Sequence, residues 1–554
     1  MPIIYFVLLF FSSFSYLTET DEELLVSLGN NWNFLPSADE ISAEEIKFHN
    51  LSHAKELFNL SAGSWISRGS GQESLISLRS PVLTGSGACG SFLILEDGLP
   101  IRPAGFCNVN NLFETSLNLA SQIETLKGPS SARFGGNALH GAINVQTLDI
   151  DDKNYLRTEV DKEGSFKSSF KYQESKNWIL GISLDSDKGF RDYSGFDQQK
   201  LVFKTNNDVN NWKASTFLSL TNLNQETAGY IDTYTSSLRE SNLNPEAYRD
   251  AKSFRLNTIF SKTQDNYYFQ LRPFLRSSKM NFIQHYLPGQ PIEKNKQTSS
   301  GINFLMDVNS FTNHKLSFGI NLEIANIDLE EFQPEELTTS SPFNNAVRPQ
   351  GFHYDFAVNT NLVAMFLSHE FLTKDDFKIF SNFRLERLNY DYDNLMLDGR
   401  TKDDGTDCGF GGCYYSRPAD TKISYSDNSF RFGFSKLVES NEFFFQLSKG
   451  FRPPQINELF RLQKSQTLAN LNSEKIDSVE FGILSEGKNF NNKFVLFSSK
   501  KNNYIYKDDD ASTISDGKSK HRGIEVSGLV KIKPDLSLNY AWSFARHLYD
   551  YSLS

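Results

Sequence analysis

The residue types best suited to chemistry in this chain are its four cysteines and nine histidines. The histidines are scattered, and nothing in the sequence brings two of them together. The chain also lacks a Gly-x-Ser-x-Gly nucleophile elbow, a His-Glu-x-x-His zinc motif and a glycine-rich phosphate loop followed by lysine. We therefore expect no catalytic site, no cofactor and no enzyme activity.

The cysteines form two local pairs, Cys89 with Cys107 and Cys408 with Cys413, the second within Cys-Gly-Phe-Gly-Gly-Cys. Close pairs in a chain that carries an apparent export segment are typical of disulfides that close loops. Zinc binding is the alternative, but zinc normally takes four ligands, and neither pair has a neighbouring histidine or further cysteine. We expect disulfides and no metal site.

The composition excludes two broad classes of protein. A formal charge of −11 argues against a nucleic-acid partner, because phosphate recognition requires a basic face. A helical membrane protein needs apolar runs of about 20 residues, and none follows the N-terminus. A membrane β-barrel hides its lipid-facing residues by alternation, which agrees with a negative mean hydropathy and 14% aromatic residues.

The N-terminal residues are predicted to direct export. Residues 1–15 contain a short apolar core that ends in small residues, as in a secretory signal peptide. Residues 16–34 form a mostly polar extension whose clearest apolar patch lies in the run Glu22, Glu23, Leu24, Leu25 and Val26. Ser37 to Leu60 is predicted to be helical, with Ser42 and Glu45 as a capping box.

Three short apolar strands with turn residues follow between Ser77 and Val145. They contain the sequences Phe92-Leu-Ile-Leu-Glu-Asp-Gly-Leu-Pro100, Ile123-Glu-Thr-Leu-Lys-Gly-Pro129 and Gly141-Ala-Ile-Asn-Val145. The first two end in turn signals, and a glycine pair precedes the third. This segment is predicted to fold as a small α/β body.

Beyond residue 151 the pattern changes to a period of two residues. Lys315 to Ile324 alternates polar with apolar residues over ten positions, about the length of a tilted membrane strand. Short turns alternate with long segments such as 226–252, 284–297, 326–359 and 398–422. Short turns on one side and long loops on the other are typical of an outer-membrane barrel.

The three motifs of the early segment, in this order and followed by the alternating strands, resemble those of TonB-dependent outer-membrane receptors. The resemblance implies an α+β plug domain, residues 35–150, inside an antiparallel transmembrane β-barrel, residues 151–554. The strand runs number roughly seventeen, whereas the family has twenty-two. The chain is therefore expected to be a fragment that lacks the last strands.

The resemblance also implies a function and partners. Such receptors, in the outer membrane of Gram-negative bacteria, import a scarce nutrient, most often a ferric siderophore or similar chelate. TonB, with its inner-membrane motor complex, would pair with a TonB box at Glu22 to Val26, because strand addition tolerates degenerate sequence. Expected partners are thus TonB, outer-membrane lipid and a small-molecule chelate. The alternatives are an importer of cobalamin, haem or oligosaccharide, and a surface-binding or adhesion barrel that transports nothing.

In relatives, plug cations pair with barrel acids inside the lumen. The matching cations are Arg79 and Lys127, and the matching acids are Glu458, in the Phe451-Arg-Pro-Pro motif region, and Glu480. The family usually has arginine where Lys127 stands, and lysine lacks the bidentate fork.

Ligand is expected where the plug's outer loops meet the outer loops of the barrel. Arginine and aromatic side chains suit an anionic, ring-bearing chelate. The candidates of these types are Arg79, Arg102, Phe106, Asn108, Tyr230, His353 and Tyr354.

Overall fold

The protein is described here from a computed structural model. It describes residues 38–49, 53–58, 60–85, 87–108, 111–149, 153–175, 177–229, 240–311, 313–375, 377–533 and 536–550. The predicted signal peptide, the predicted TonB box and the ligand candidate Tyr230 lie outside these residues. Among the described residues, no helix is both long and apolar enough to cross a membrane.

The early part of the chain forms the plug. Its strands are Asp39–Ser42 (β1), Ser64–Arg68 (β2), Ser74–Leu78 (β3), Phe92–Glu96 (β4), Leu99–Pro100 (β5), Ala120–Lys127 (β6) and Gly141–Thr147 (β7). Its helices are Ala43–His49 (α1), Lys55–Phe58 (α2) and Ser131–Phe134 (α3), with 3₁₀ turns at Ala88–Ser91, Asn111–Glu114 and Leu117–Leu119. The main sheet has the order β1-β6-β7-β4-β5, and β2 pairs separately with β3.

The three predicted strands form the centre of this sheet as β4, β6 and β7. All five residues of β4 are buried, and β4 pairs parallel with β7. The turn between β4 and β5 consists of Asp97 and Gly98, both with positive φ. That conformation is the usual two-residue hairpin connection, which explains why Asp-Gly follows the first strand.

The predicted helix from Ser37 to Leu60 is wrong at its start and interrupted within. Asp39–Ser42 forms β1, and the helical residues are divided between α1 and α2. The capping box lies where it was expected, since the Ser42 amide donates to Glu45 Oε2 at 2.9 Å and the Glu45 amide to Ser42 Oγ at 3.4 Å. It begins α1, so the strand and the helix share Ser42 as their boundary.

Among the described residues, seventeen strands in chain order form the barrel. They are Tyr155–Val160 (β8), Phe166–Ser175 (β9), Trp178–Asp187 (β10), Phe196–Val209 (β11), Trp212–Glu226 (β12), Tyr248–Gln264 (β13), Tyr267–Ile283 (β14), Ile292–Phe311 (β15), His314–Gln333 (β16), Gly351–Leu372 (β17), Phe377–Asn394 (β18), Thr421–Val438 (β20), Asn441–Arg452 (β21), Glu474–Gly487 (β23), Phe490–Lys507 (β24), Thr513–Lys533 (β25) and Leu536–Tyr549 (β26).

Neighbouring barrel strands pair antiparallel from β8 through to β26, and the strand order places β26 beside β8. Residue-by-residue registers join every consecutive pair along this path. The described strands form a closed barrel in which β26 lies beside β8, and most side chains of these two strands are exposed on both faces.

The long loops carry short elements on the side predicted to be outside the cell. Tyr415–Ser416 (β19) pairs with Leu462–Gln463 (β22), and the helices are Pro342–Val347 (α4) and Ile456–Phe460 (α5). These elements, with the Cys408–Cys413 loop, are called the outer cap below.

Several strands extend further outward than the sequence predicted. β15 begins at Ile292 and β16 continues to Gln333, inside segments that were predicted to be loops. In this part of β15, Glu293 and Asn295 are buried while Lys294 and Lys296 face outward. Because both faces are polar above the membrane, alternation of hydrophobicity does not mark these strand ends.

The outer surface of β17 shows where lipid should contact the barrel. Val363, Met365 and Leu367 point outward with 49 to 51% of their surface exposed, and the outward residue above them is Asn361. An apolar band bordered by polar residues is the lipid-facing pattern of such barrels.

A charge placed in this band should weaken the folded barrel. We expect Met365→Arg to lower the free energy of unfolding in lipid vesicles by about 2–4 kcal/mol. Asn361→Arg is the matched control on the same strand and face, and it should change stability by about 1 kcal/mol or less. Urea titration of the vesicle-inserted barrel measures both, and equal losses would contradict the assignment of the lipid-facing band.

Candidate functional site

The contact between the plug and strands β23 to β25 is built on Arg79, directly after β3. Its Nε and Nη2 donate to the two carboxylate oxygens of Glu525 at 2.7 and 2.8 Å. Its Nη1 lies 2.9 Å from Glu480 Oε2, and all three side chains are almost fully buried. One plug arginine therefore contacts two acids on the barrel wall, and the fork geometry holds its orientation.

Lys127, at the end of β6, does not reach Glu480. Its Nζ lies 3.2 Å from Glu525, 2.8 Å from Asp39 and 2.7 Å from the carbonyl oxygen of Ala62. A single ammonium group thus contacts an acid of the barrel and an acid of the plug. Sequence reasoning missed Asp39 and Glu525 because neither lies in a recognisable motif.

The structure does not bring Glu458 to a plug cation. Glu458 lies in α5, where its carboxylate accepts from Arg452 Nη1 and Nη2, both at 2.9 Å, and from the Gln455 amide at 2.7 Å. Arg452 makes the contact to the plug, donating from Nη1 to the carbonyl oxygen of Gly87 at 3.0 Å. Arg452 lies in the same motif region as Glu458, so the sequence pointed to the correct segment but to the wrong partner.

On the opposite wall the signs of the charges are reversed. Arg255 of β13 contacts Glu96 at 2.7 Å and Glu114 at 3.3 Å, and Lys204 of β11 contacts Asp97 at 2.8 Å. Here the barrel supplies the cations and the plug supplies the acids. Sequence analysis identified none of these residues.

Both cysteine pairs are disulfides, Cys89–Cys107 and Cys408–Cys413, which leaves no free thiol for the zinc alternative. Within the part of the chain that the structure describes, no group of three or more histidine, cysteine, aspartate or glutamate side chains could hold a metal ion.

The plug residues proposed for ligand binding are buried in structural contacts. Arg102 Nη2 donates to the carbonyl oxygens of Cys89 and Phe92, each at 2.7 Å. Phe106 is fully buried in a cluster with barrel tyrosines, and Asn108 Nδ2 donates to Asn295 Oδ1 at 2.8 Å. In this conformation Arg102 fixes the disulfide-closed loop within the plug, and Phe106 and Asn108 hold that loop against the barrel.

His353 and Tyr354, at the outer end of β17, are also buried. The His353 ring stacks on Tyr415 with centroids 3.6 Å apart, and its Nδ1 lies 3.0 Å from Glu331. The Tyr354 hydroxyl donates to the carbonyl oxygen of Leu462. They join the loops of the outer cap and do not present a surface to ligand.

Two phenylalanines on the outer cap are exposed instead. Phe343 in α4 and Phe410 in the Cys408–Cys413 loop are 50% and 67% exposed, with ring centroids 5.4 Å apart. Phe410 has a φ of 59°, a conformation that bulky residues rarely adopt. The Cys408–Cys413 disulfide and helix α4 therefore hold this aromatic pair toward the outside. The Cys-Gly-Phe-Gly-Gly-Cys run was the sequence signal that could have identified the pair.

The first strand of the plug carries an unfavourable pair of like charges. Glu40 of β1 lies directly opposite Glu124 of β6. Burial, with a contribution from Glu40, raises the pKa of Glu124 to about 7, although hydrogen bonds from Asn144 and Gln146 act in the opposite direction. Like charges directly opposite each other destabilise an antiparallel pair.

The plugged barrel defined by this geometry can now be compared with known families. The family description "TonB-dependent Receptor Plug Domain" matches residues 34–142, and "TonB dependent receptor-like, beta-barrel" matches residues 135–553. The chain therefore belongs to the TonB-dependent receptors, outer-membrane transporters of Gram-negative bacteria that are not enzymes. Members of this family work with TonB and bind small-molecule ligands.

Solved structures share the fold at low sequence identity. The ferric yersiniabactin uptake receptor FyuA from Yersinia pestis has a TM-score of 0.71 at 14% identity, covering 93% of this chain and 79% of its own. The unliganded ferric citrate transporter FecA has a TM-score of 0.73 at 14% identity, covering 94% of this chain and 80% of its own. The siderophore receptor PiuA from Acinetobacter baumannii has a TM-score of 0.70 at 11% identity, covering 93% of this chain and 79% of its own. Likeness at this level of identity establishes the fold alone.

Removal of Arg79 should loosen the plug. Arg79→Ala leaves Glu480 and Glu525 buried without their main cation, which typically costs about 3–5 kcal/mol. We expect the urea concentration at the midpoint of plug unfolding to fall by a corresponding amount. The sensitivity of the plug to protease measures this unfolding. Lys422→Ala breaks the exposed ion pair with Asp391 and should cost less than about 1 kcal/mol. Equal losses in the two variants would contradict a special role for the buried pair.

Stability of the plug should also depend on Glu124. Because its folded pKa is raised, the folded plug keeps this proton as pH rises from about 4.5 toward 7, where the unfolded chain has lost it. The contribution of Glu124 to the free energy of unfolding of the plug is therefore fully present below pH about 4.5. It is lost above pH 7, and the total loss is at most about 3 kcal/mol. Glu124→Gln should flatten this part of the pH profile of plug unfolding, and an unchanged slope would contradict the assignment.

Proposed function

We propose that this receptor imports a scarce nutrient across the outer membrane, a ferric siderophore or similar metal chelate, through an energised rearrangement of the plug. Its family and its solved neighbours support this class of ligand, since they include receptors for ferric yersiniabactin, ferric citrate and a siderophore. Cobalamin, haem and oligosaccharides are the competing ligands.

The observation that favours transport over adhesion is the way the plug is held. A barrel that served only for adhesion would gain nothing from a separate domain fixed inside its lumen by charges on both walls. Arg79 meets Glu480 and Glu525 on one wall, and Arg255 meets Glu96 on the other. Such polar contacts can be exchanged for water when the plug moves, because their net stability is modest compared with that of an apolar core.

The proposed order of events is the one that membership of the family implies. Ligand binds on the outer cap, and the segment that contains Glu22 to Val26 becomes available in the periplasm. TonB then adds a strand to this segment, a mode of binding that derives its affinity from main-chain hydrogen bonds. Force transmitted through the N-terminal segment withdraws part of the plug and opens a path along the barrel wall.

The outer cap supplies the first contacts in this proposal. Phe343 and Phe410 are exposed rings that contact each other, and flat apolar surfaces on a chelate can stack on such rings. Tyr230 is kept as a ligand candidate. The buried Arg102, Phe106, Asn108, His353 and Tyr354 act indirectly, by holding the plug loop and the cap loops that surround the ligand.

Import is tested in a host that lacks its own receptors for a panel of ferric siderophores, ferric citrate, haem, cobalamin and oligosaccharides. We expect the receptor to restore growth on a ferric chelate. Deletion of residues 19–30 should abolish growth while binding of the same chelate to whole cells remains. Uptake that survives the deletion would reject energised import. Binding without uptake by the intact receptor would favour the adhesion alternative.

A further inference from the structure

The first strand of the plug sheet, β1, is weakly integrated. It has four residues, and in the part of the chain that the structure describes it lies at the edge of the sheet and pairs only with β6. Ile41 is its one buried apolar side chain. An edge strand of this length makes few backbone hydrogen bonds, so its attachment depends on its side chains.

Asp39 provides the strongest of these attachments. One carboxylate oxygen lies 2.8 Å from Lys127 Nζ and accepts from Ser61 Oγ at 2.6 Å. The other lies 2.9 Å from Nζ of Lys493, a residue of barrel strand β24, and the same ammonium group contacts the carbonyl oxygen of Ala38. Although burial alone would raise it, the two lysines hold the pKa of Asp39 below its usual range, so the carboxylate is ionised at neutral pH.

Asp39 also belongs to a continuous chain of charges, most of which are buried. Lys127 contacts Glu525, Glu525 contacts Arg79, and Arg79 contacts Glu480. With Lys493, the chain contains three cations and three acids, and three of its members come from the adjacent barrel strands β23, β24 and β25. Removal of Asp39 leaves three cations facing two acids, and both lysines lose their closest carboxylate.

The other face of β1 opposes its attachment. Glu40 lies across from Glu124, and two carboxylates in this position repel each other when ionised. The strand is therefore held by Asp39, which bridges two lysines, and is repelled through Glu40 when both Glu40 and Glu124 are ionised.

We propose that β1 is a releasable latch, which connects a pull on the N-terminal segment to the release of the plug from strands β23 to β25. When β1 leaves the edge of β6, Asp39 is withdrawn, the charge balance around Lys127 and Lys493 is lost, and the Arg79 contacts to the wall are weakened. Strands β4 and β7 stay folded in the centre of the sheet. The inference rests on the proposed function only for the source of the pull.

Hydrogen exchange of the purified receptor, read on peptides from β1, β4 and β7, tests the latch without any need for transport. Asp39→Asn should speed exchange in β1 at least tenfold while β4 and β7 keep their protection. Lys493→Gln should act in the same direction. The double variant should be no faster than the more affected single variant, because both remove the same contact.

Lys422→Gln, which breaks an exposed ion pair on the outside of the barrel, is the control and should leave all three peptides unchanged. Unchanged exchange of β1 in Asp39→Asn, or an equal acceleration of β1, β4 and β7, would overturn the proposal.

A crosslinked variant covers the case in which Asp39→Asn does not fold. Glu40→Cys with Glu124→Cys places two cysteines opposite each other and, when oxidised, fixes β1 to β6. This variant should bind the ligand that supports growth but should not import it, whereas each single cysteine variant should import. Import by the oxidised variant would overturn the latch. If the unmodified receptor imports nothing from the panel, the proposed function fails, and the exchange experiment still decides the latch.

Discussion

The structure depends on the pairing of charges that are removed from water between the plug and the barrel. An unpaired charge in this interface would cost several kcal/mol, so each buried acid needs a cation close to it. On strands β23 to β25 the plug supplies Arg79 and Lys127 to Glu525, whereas on β11 and β13 the barrel supplies Lys204 and Arg255 to acids of the plug. The prevailing polarity of these pairs differs between the two walls and favours one rotation of the plug, although Lys493 of β24 also pairs with Asp39 of the plug.

The sequence predicted the barrel strands correctly where the residues on one face of a strand are apolar and those on the other face are polar. Lys315 to Ile324 lies in β16 as predicted, because its outward side chains meet lipid and its inward ones do not. The outer parts of β15 and β16 were predicted to be loops, since both faces are polar there. β1 was predicted to be helical because its four residues run directly into the Ser42 capping box, and only pairing with β6 makes them a strand.

The candidate site was less predictable, because its pairs join distant positions. Arg79 and Glu525 are separated by 446 residues, and the acid is one of many polar side chains that face the lumen. Only the register of the closed sheet selects Glu525 from among them. Residue type also misled the assignment of ligand contacts, since Arg102 and His353 have the right chemistry but use it to hold loops together. The exposed Phe410 has no charge to draw attention, and its conformation cannot be read from the sequence.

An interface of paired charges suits a domain that must be held firmly and yet removed. Withdrawal from an apolar interface would expose hydrocarbon to water at about 25 cal/mol per Å², with no compensating contact. When Arg79 and Glu525 separate, water enters the lumen and solvates both, so much of the lost attraction is replaced by hydration. The cost of movement is therefore concentrated in the first step, before water can enter, and it falls as the pairs open in turn. A short strand that carries the last acid of the chain of charges is the element at which a small force would have the largest effect.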